Sequence, residues 1–76
     1  MDPKVAAITQ CLARSLEDML AHGYQQTEAV WEWRRAVDHK LLDAGRVRVR
    51  RGKDGAFLVR ITDRFTGEET PDERAG

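Results

Sequence analysis

Basic side chains are concentrated in one stretch of the chain, residues 46–60, where five of the six are arginines. The six are Arg46, Arg48, Arg50, Arg51, Lys53 and Arg60. Asp54 is the single acidic residue among them, so the stretch carries a net charge of +5, whereas the whole 76-residue chain has a net charge of zero. A guanidinium group donates paired hydrogen bonds that match phosphate and carboxylate oxygens. The stretch therefore predicts a surface that binds a polyanion.

Catalytic chemistry has little support in the other residue types. Ser15 is the only serine and Cys11 the only cysteine. Neither stands among the glycines or beside the histidine that would activate a nucleophile. His22 and His39 lack the paired spacing of zinc ligands, and the glycine pattern of a phosphate-binding loop is missing. The sequence predicts a protein that is not an enzyme and has no metal or cofactor.

The elements that position the arginines begin with a helix over residues 2–22. Asp2 is a favourable N-cap, and Pro3 suits the first helical position because its missing N–H is not needed there. Gly23 can adopt the left-handed conformation that ends a helix. Apolar residues recur every three or four positions along it: Val5, Ile8, Leu12, Leu16, Met19 and Leu20.

A second helix is predicted over residues 29–44, with Thr27 as its N-cap and Gly45 at its end. Its apolar side chains also follow a helical period: Val30, Trp33, Val37, Leu41 and Ala44. Because the link between the two helices is short, we expect them to pack as an antiparallel hairpin.

The period changes from 3.6 to 2 at Arg46, which predicts two β-strands joined by a turn within residues 52–55. A two-residue loop would pair Val49 with Arg60 and mix apolar with charged side chains on one face. A three-residue loop over residues 53–55, with Gly55 left-handed, instead pairs Val49 with Val59. The second register is favoured because it gives one wholly apolar face that the helices can cover.

In this register Arg46, Arg48, Arg50 and Arg60 project from the opposite face, with Arg48 directly across from Arg60. Like charges facing each other across a strand pair destabilise it. A solubilising surface of mixed charge would carry no such penalty. The arrangement therefore favours a binding role for this face.

The predicted fold class is α+β: a two-helix antiparallel hairpin followed by a two-stranded antiparallel β-hairpin, with a flexible acidic C-terminal tail. Residues 1–66 would form one small domain, and residues 67–76 the tail, which contains Pro71 and no large apolar residue. The single cysteine and the lack of an apolar run of about 18 residues predict a cytoplasmic protein without a membrane partner.

The segment Leu41-Leu42-Asp43-Ala44-Gly45-Arg46-Val47-Arg48-Val49, followed by Arg50 to Ile61, resembles the second half of a winged-helix domain. The resemblance covers roughly residues 30–62. In that family a helix ends at a glycine and leads into a two-stranded wing whose arginines touch the DNA backbone. Since two helices are predicted here rather than three, the resemblance implies only wing contacts and no recognition helix.

Three interpretations of the arginines remain open. They could dock on nucleic-acid phosphates, or they could bind an acidic surface of another protein. In the third interpretation the acidic tail folds back and neutralises them, or their number reflects codon usage alone. The preferred function is a non-catalytic regulatory protein that binds DNA, and the alternative is a small adaptor or inhibitor of a partner protein.

Two further surfaces are predicted from the helices. Trp31, at the edge of the second apolar stripe beside Arg34 and Arg35, would form a patch for a partner protein if the core left it exposed. The flank of the first helix that contains Cys11 and Met19 could serve as the seam of a homodimer, which would enlarge a core this small.

Overall fold

The computed structural model describes residues 2–75 as one helix packed on a four-stranded antiparallel sheet. The elements are α1 (Pro3–His22), β1 (Gln26–Arg34), β2 (Leu41–Arg51), β3 (Phe57–Asp63) and β4 (Glu73–Arg74). The strands lie in the order β1-β2-β3-β4. The α+β class agrees with the prediction, but the two-helix hairpin and the two-stranded sheet are wrong.

The first helix is confirmed together with its two caps. The Asp2 carboxylate accepts a hydrogen bond from the Lys4 N–H at 2.8 Å, and Pro3 opens the helix. Gly23 is left-handed, with φ of 68°, and its N–H donates to the Met19 carbonyl at 2.8 Å. These local signals are sufficient to place both ends of α1.

The predicted second helix is wrong, because residues 26–34 form β1 and residues 41–51 form β2. The alternation within β1 is regular: Thr27, Ala29, Trp31 and Trp33 are more buried than their neighbours. Residues 35–40 form a turn, in which Asp38 accepts hydrogen bonds from the Arg35 guanidinium and the Lys40 N–H. The same segment thus satisfies two periods, and packing against α1 selects the strand.

Gly45 lies inside β2 rather than at the end of a helix. A Cβ at this position would lie 2.0 Å from the Thr62 carbonyl oxygen and 2.7 Å from the Trp31 ring. The residue is therefore a glycine because the indole and the neighbouring strand approach its backbone closely.

The predicted register between β2 and β3 is confirmed: Val49 pairs with Val59 and Arg48 with Arg60. Gly52 N–H donates to the Ala56 carbonyl at 2.7 Å, and Gly55 has the expected positive φ of 82°. However, β1 and β4 flank this hairpin, so it is the middle of a sheet and not a free wing. The likeness to a winged-helix domain ends there, since the helix that should precede the wing is a strand.

The predicted C-terminal tail, residues 67–76, contains paired segments within the described residues, because the chain beyond Gly67 runs back along β3. Glu69 forms an isolated bridge with Thr62, and β4 pairs with Leu58 and Val59. The Ala75 N–H donates to the Phe57 carbonyl at 3.0 Å.

The core lies between α1 and one face of the sheet. It consists of Cys11, Met19, Trp31, Val47, Val49 and Val59. Val5 and Leu20, which the sequence placed on the buried stripe of α1, are 49% and 65% exposed. Lys4 ties the start of α1 to the sheet through Asp43 and Asp63, at 2.6 and 3.3 Å. Among residues 2–75, no helix has both the length and the apolar content needed to cross a bilayer.

Candidate functional site

The sheet face opposite α1 carries the four arginines that the register placed together. Successive side chains of a strand point to opposite faces. Since Val47 and Val49 enter the core, Arg46, Arg48 and Arg50 must project from the other side, and Arg60 lies across from Arg48. We call the set Arg46, Arg48, Arg50 and Arg60 the arginine face. Within the described residues, the single helix packs on the other side of the sheet.

Glu28 of β1 is bonded to the first two of these arginines. Arg46 Nη1 donates to Glu28 Oε1 at 3.1 Å. Arg48 Nε and Nη2 donate to Glu28 Oε2 at 3.2 and 3.0 Å. The hydrogen bonds from Arg48 and then from Arg46 hold the pKa of Glu28 below its usual value. The carboxylate therefore fixes two neighbouring guanidinium groups in one orientation.

Asp72 does the same for the other two arginines. Arg50 Nη2 donates to Asp72 Oδ2 at 2.6 Å, and Arg60 Nε donates to Asp72 Oδ1 at 3.1 Å. Arg50 and, more weakly, Arg60 lower the pKa of Asp72. Glu69 also approaches Arg60, at 3.9 Å. The third interpretation of the arginines is thus realised in part, because residues from the acidic C-terminal segment neutralise half of the face.

The arginine face nevertheless remains accessible to solvent. The side chains of Arg46 and Arg48 are 60% and 54% exposed, and that of Arg60 is 39% exposed. Ion pairs at this exposure contribute little to the free energy of unfolding, because water screens them. A guanidinium has five N–H donors, whereas Arg46 and Arg50 each use one in the bonds described above. The arrangement can therefore exchange a carboxylate for another oxyanion at small cost.

The four other basic residues singled out from the sequence lie outside this set of arginines, although Arg34 is on the same side of the sheet. Arg51 is on the helix side of the sheet, where its guanidinium stacks on the Phe57 ring at 4.7 Å. Lys53 is exposed in the loop after β2. Arg34 and Arg35 lie at the opposite end of the sheet, where they pair with Glu32 and Asp38.

The apolar residues predicted to form a partner patch or a dimer seam, Trp31, Cys11 and Met19, are in the core. Trp31 is 2% exposed, so it does not form a surface patch with Arg34 and Arg35. Its indole N–H has no hydrogen-bond partner among the described residues. Cys11 and Met19, the predicted dimer seam, pack against the sheet of the same chain. Burial raises the pKa of the Cys11 thiol.

Sequence reasoning missed Glu28, and it included Asp72 only as part of the acidic tail that one of the three interpretations folds back onto the arginines. The alternation of residues 26–34 was the available signal for Glu28, because a strand there places it on the same side as Arg46 and Arg48. Asp72 is 22 residues from Arg50, and no local sequence pattern predicts their contact. Within residues 2–75, no three side chains of the metal-ligating types come together.

Comparison of the chain with protein families, with curated proteins and with solved structures finds no match to any of them.

Proposed function

We propose that the protein is a non-catalytic binding protein whose arginine face engages a polyanion, with the phosphates of duplex DNA as its preferred ligand. The observation that carries this proposal is the cross-strand pair of Arg48 and Arg60 at the centre of an exposed sheet face. Two guanidinium groups in this position repel each other. Glu28 and Asp72 offset that repulsion in the free protein, and a ligand that places negative charge between the two guanidinium groups would take over this role.

The carboxylates on the face define how binding would occur. Glu28, Glu69 and Asp72 leave a net charge of about +1 around the four arginines, so free positive charge alone would attract DNA weakly. Phosphate oxygens must instead replace carboxylate oxygens on guanidinium groups that are already oriented. Asp72 is the displaceable partner, because it belongs to a segment that adjoins the two-residue strand β4. Glu28 lies within the nine-residue strand β1 and stays in place.

A salt titration tests the proposal. Binding to random duplex DNA is measured by fluorescence anisotropy between about 50 and 200 mM salt. The logarithm of the binding constant should fall linearly with the logarithm of the salt concentration, because bound counterions are released. The slope of this line is the salt slope. Arg48→Gln and Arg60→Gln should each reduce the slope by about one. Arg14→Gln on α1 removes the same charge from the helix side and should leave the slope unchanged. Undetectable binding at the lowest salt, or equal slopes for all three variants, would reject the DNA proposal.

The acidic surface of a partner protein offers the same oxyanion chemistry and is the second arm of the experiment. Poly-glutamate presents carboxylates without phosphates. The partner-protein alternative also relied on Trp31 as a surface contact for the partner. Trp31 is in the core and is not available for that contact. Binding of poly-glutamate with higher affinity than DNA at equal charge would reverse the order of the two candidates.

A further inference from the structure

Among residues 2–75, the backbone groups on the outer edge of β1 have no partner strand. β1 is hydrogen-bonded to β2 along its other side. Arg51 N–H donates to the Gln25 carbonyl at 2.9 Å, and bonded pairs alternate along an antiparallel ladder. Thr27, Ala29 and Trp31 therefore bond to β2. The alternate residues of β1 direct their N–H and C=O groups away from the sheet. They are Glu28, Val30 and Glu32.

The two edges of the sheet are treated differently. On the β4 side, the edge strand has only two residues, both of them charged, and Pro71 precedes it. A short edge strand, charged side chains and a proline each help to keep an edge from pairing with another chain. β1 has nine residues and contains neither proline nor lysine. Its charged side chains are compensated within the chain, since Glu28 bonds to two arginines and Glu32 to Arg34. At its centre Val30 is 63% exposed.

We propose that β1 pairs with β1 of a second copy of this chain, antiparallel and about a two-fold axis beside Trp31. In this register Glu28 faces Arg34 of the second copy, and Val30 faces Glu32. Arg34 shares the open face of the sheet, because its Nε donates to Glu32 Oε2 at 3.0 Å. An axis at Val30 would set Glu28 opposite Glu32, and an axis at Glu32 would set two copies of Glu32 opposite each other. Like charges in these positions disfavour both alternatives.

The resulting dimer has one continuous eight-stranded sheet. A two-fold axis perpendicular to the sheet puts both helices on one side and both arginine faces on the other. The inference does not depend on the ligand of the arginine face, because it rests on the backbone of β1 and the order of its charges. Self-pairing extends a small core without any new sequence element.

Sedimentation over a concentration series tests the dimer. Wild type should form a dimer, and Val30→Glu should be monomeric, since the new carboxylate would face Glu32 of the second copy. Val37→Glu is the matched control: Val37 is 91% exposed in the turn after β1, so the same substitution should leave the dimer intact. Circular dichroism checks that both variants keep the fold. A wild type that is monomeric at its highest soluble concentration, or a Val30→Glu variant that dimerises as wild type does, overturns the proposal.

Amide hydrogen exchange of wild type provides a second test that needs no substitution. The N–H groups of Glu28, Val30 and Glu32 should exchange rapidly in dilute protein and become protected as the concentration rises. Those of Thr27, Ala29 and Trp31 bond to β2 and should be protected at every concentration. Rapid exchange of the first group in concentrated protein contradicts pairing through this edge.

Discussion

Arg48 and Arg60 face each other across the two central strands, and each is bonded to a carboxylate from a different outer segment. Glu28 of β1 holds Arg48, whereas Asp72 near the C-terminus holds Arg60. The repulsion between two guanidinium groups is thereby offset by acids that come from opposite sides of the sheet. This relationship explains how the face can form in isolation, and it identifies the contacts that a polyanion must replace.

The placement of Trp31 and Val30 on opposite faces of β1 can be tested by truncation. Trp31→Ala should destabilise the protein by about 3–5 kcal/mol, because a buried aromatic side chain leaves a cavity. Val30→Ala should cost below about 1 kcal/mol in dilute protein, since Val30 is exposed. Urea denaturation measures both. A helix over residues 29–44 would bury Val30 instead, so a larger effect at Val30 contradicts the strand.

The ends of α1 and the register of β2 and β3 could be predicted because their signals are local. Asp2, Pro3 and Gly23 act within one turn of the helix, and Gly55 fixes the hairpin loop. Residues 29–44 could not be assigned locally, since Val30, Trp33, Val37 and Leu41 fit a helix while residues 27–33 also alternate. Contact with α1 decides between the two patterns, and local periodicity does not report it.

The residues of the candidate site also divide into those that the sequence predicts from local patterns and those that depend on distant contacts. Arg46, Arg48, Arg50 and Arg60 share a face by strand alternation alone, so the sequence predicts them. Asp72 reaches Arg50 only because the chain after Gly67 returns along β3. That return depends on contacts between distant residues.

Gly45 should not tolerate a side chain. Gly45→Ala would bring a Cβ against a backbone oxygen of Thr62, which cannot rotate away, and against the Trp31 ring. We expect a loss of about 1–3 kcal/mol or more in the free energy of unfolding. Gly52→Ala is the control, because the nearest neighbour of its Cβ would be a side-chain oxygen, Asp54 Oδ1 at 3.2 Å, and not a backbone atom. Equal stability of the two variants would show that the close approach at Gly45 is incorrect.

Acid should weaken the fold through the ion pairs of the arginine face. Glu28 and Asp72 have folded-state pKa values below their ordinary values of 4.5 and 3.8. Their stabilisation is therefore complete above those values and is lost as the pH falls through the lower, folded-state pKa values. The urea midpoint should stay level from about pH 7 to 5 and then decline.

A double variant separates these two acids from the others. Glu28→Gln with Asp72→Asn should be less stable than wild type near neutral pH and should lose less on acidification. Glu17→Gln, an exposed site on α1, should follow the wild-type curve. An acid decline in the double variant as steep as that of wild type would exclude these pairs as its source.

Cys11 should report on opening of the core. The thiol is 9% exposed and burial raises its pKa, so a thiol reagent should label it slowly in the native protein. The labelling rate should rise with urea in parallel with unfolding. In a Leu20→Cys variant, the new thiol at a site 65% exposed should react at the rate of a free cysteine. Equally rapid labelling of Cys11 in native wild type would place it outside the core.

The exchange of carboxylate for phosphate is tested most directly by the DNA affinity of Asp72→Asn, measured against wild type over the same salt series. The substitution removes the carboxylate that holds Arg50 and Arg60. We predict tighter binding and a salt slope steeper by about one, because in wild type the displaced Asp72 carboxylate takes up a cation and so offsets part of the counterion release. Glu17→Gln makes the same charge change on α1 and should leave the slope unchanged. Unchanged or weaker binding by Asp72→Asn would contradict the account.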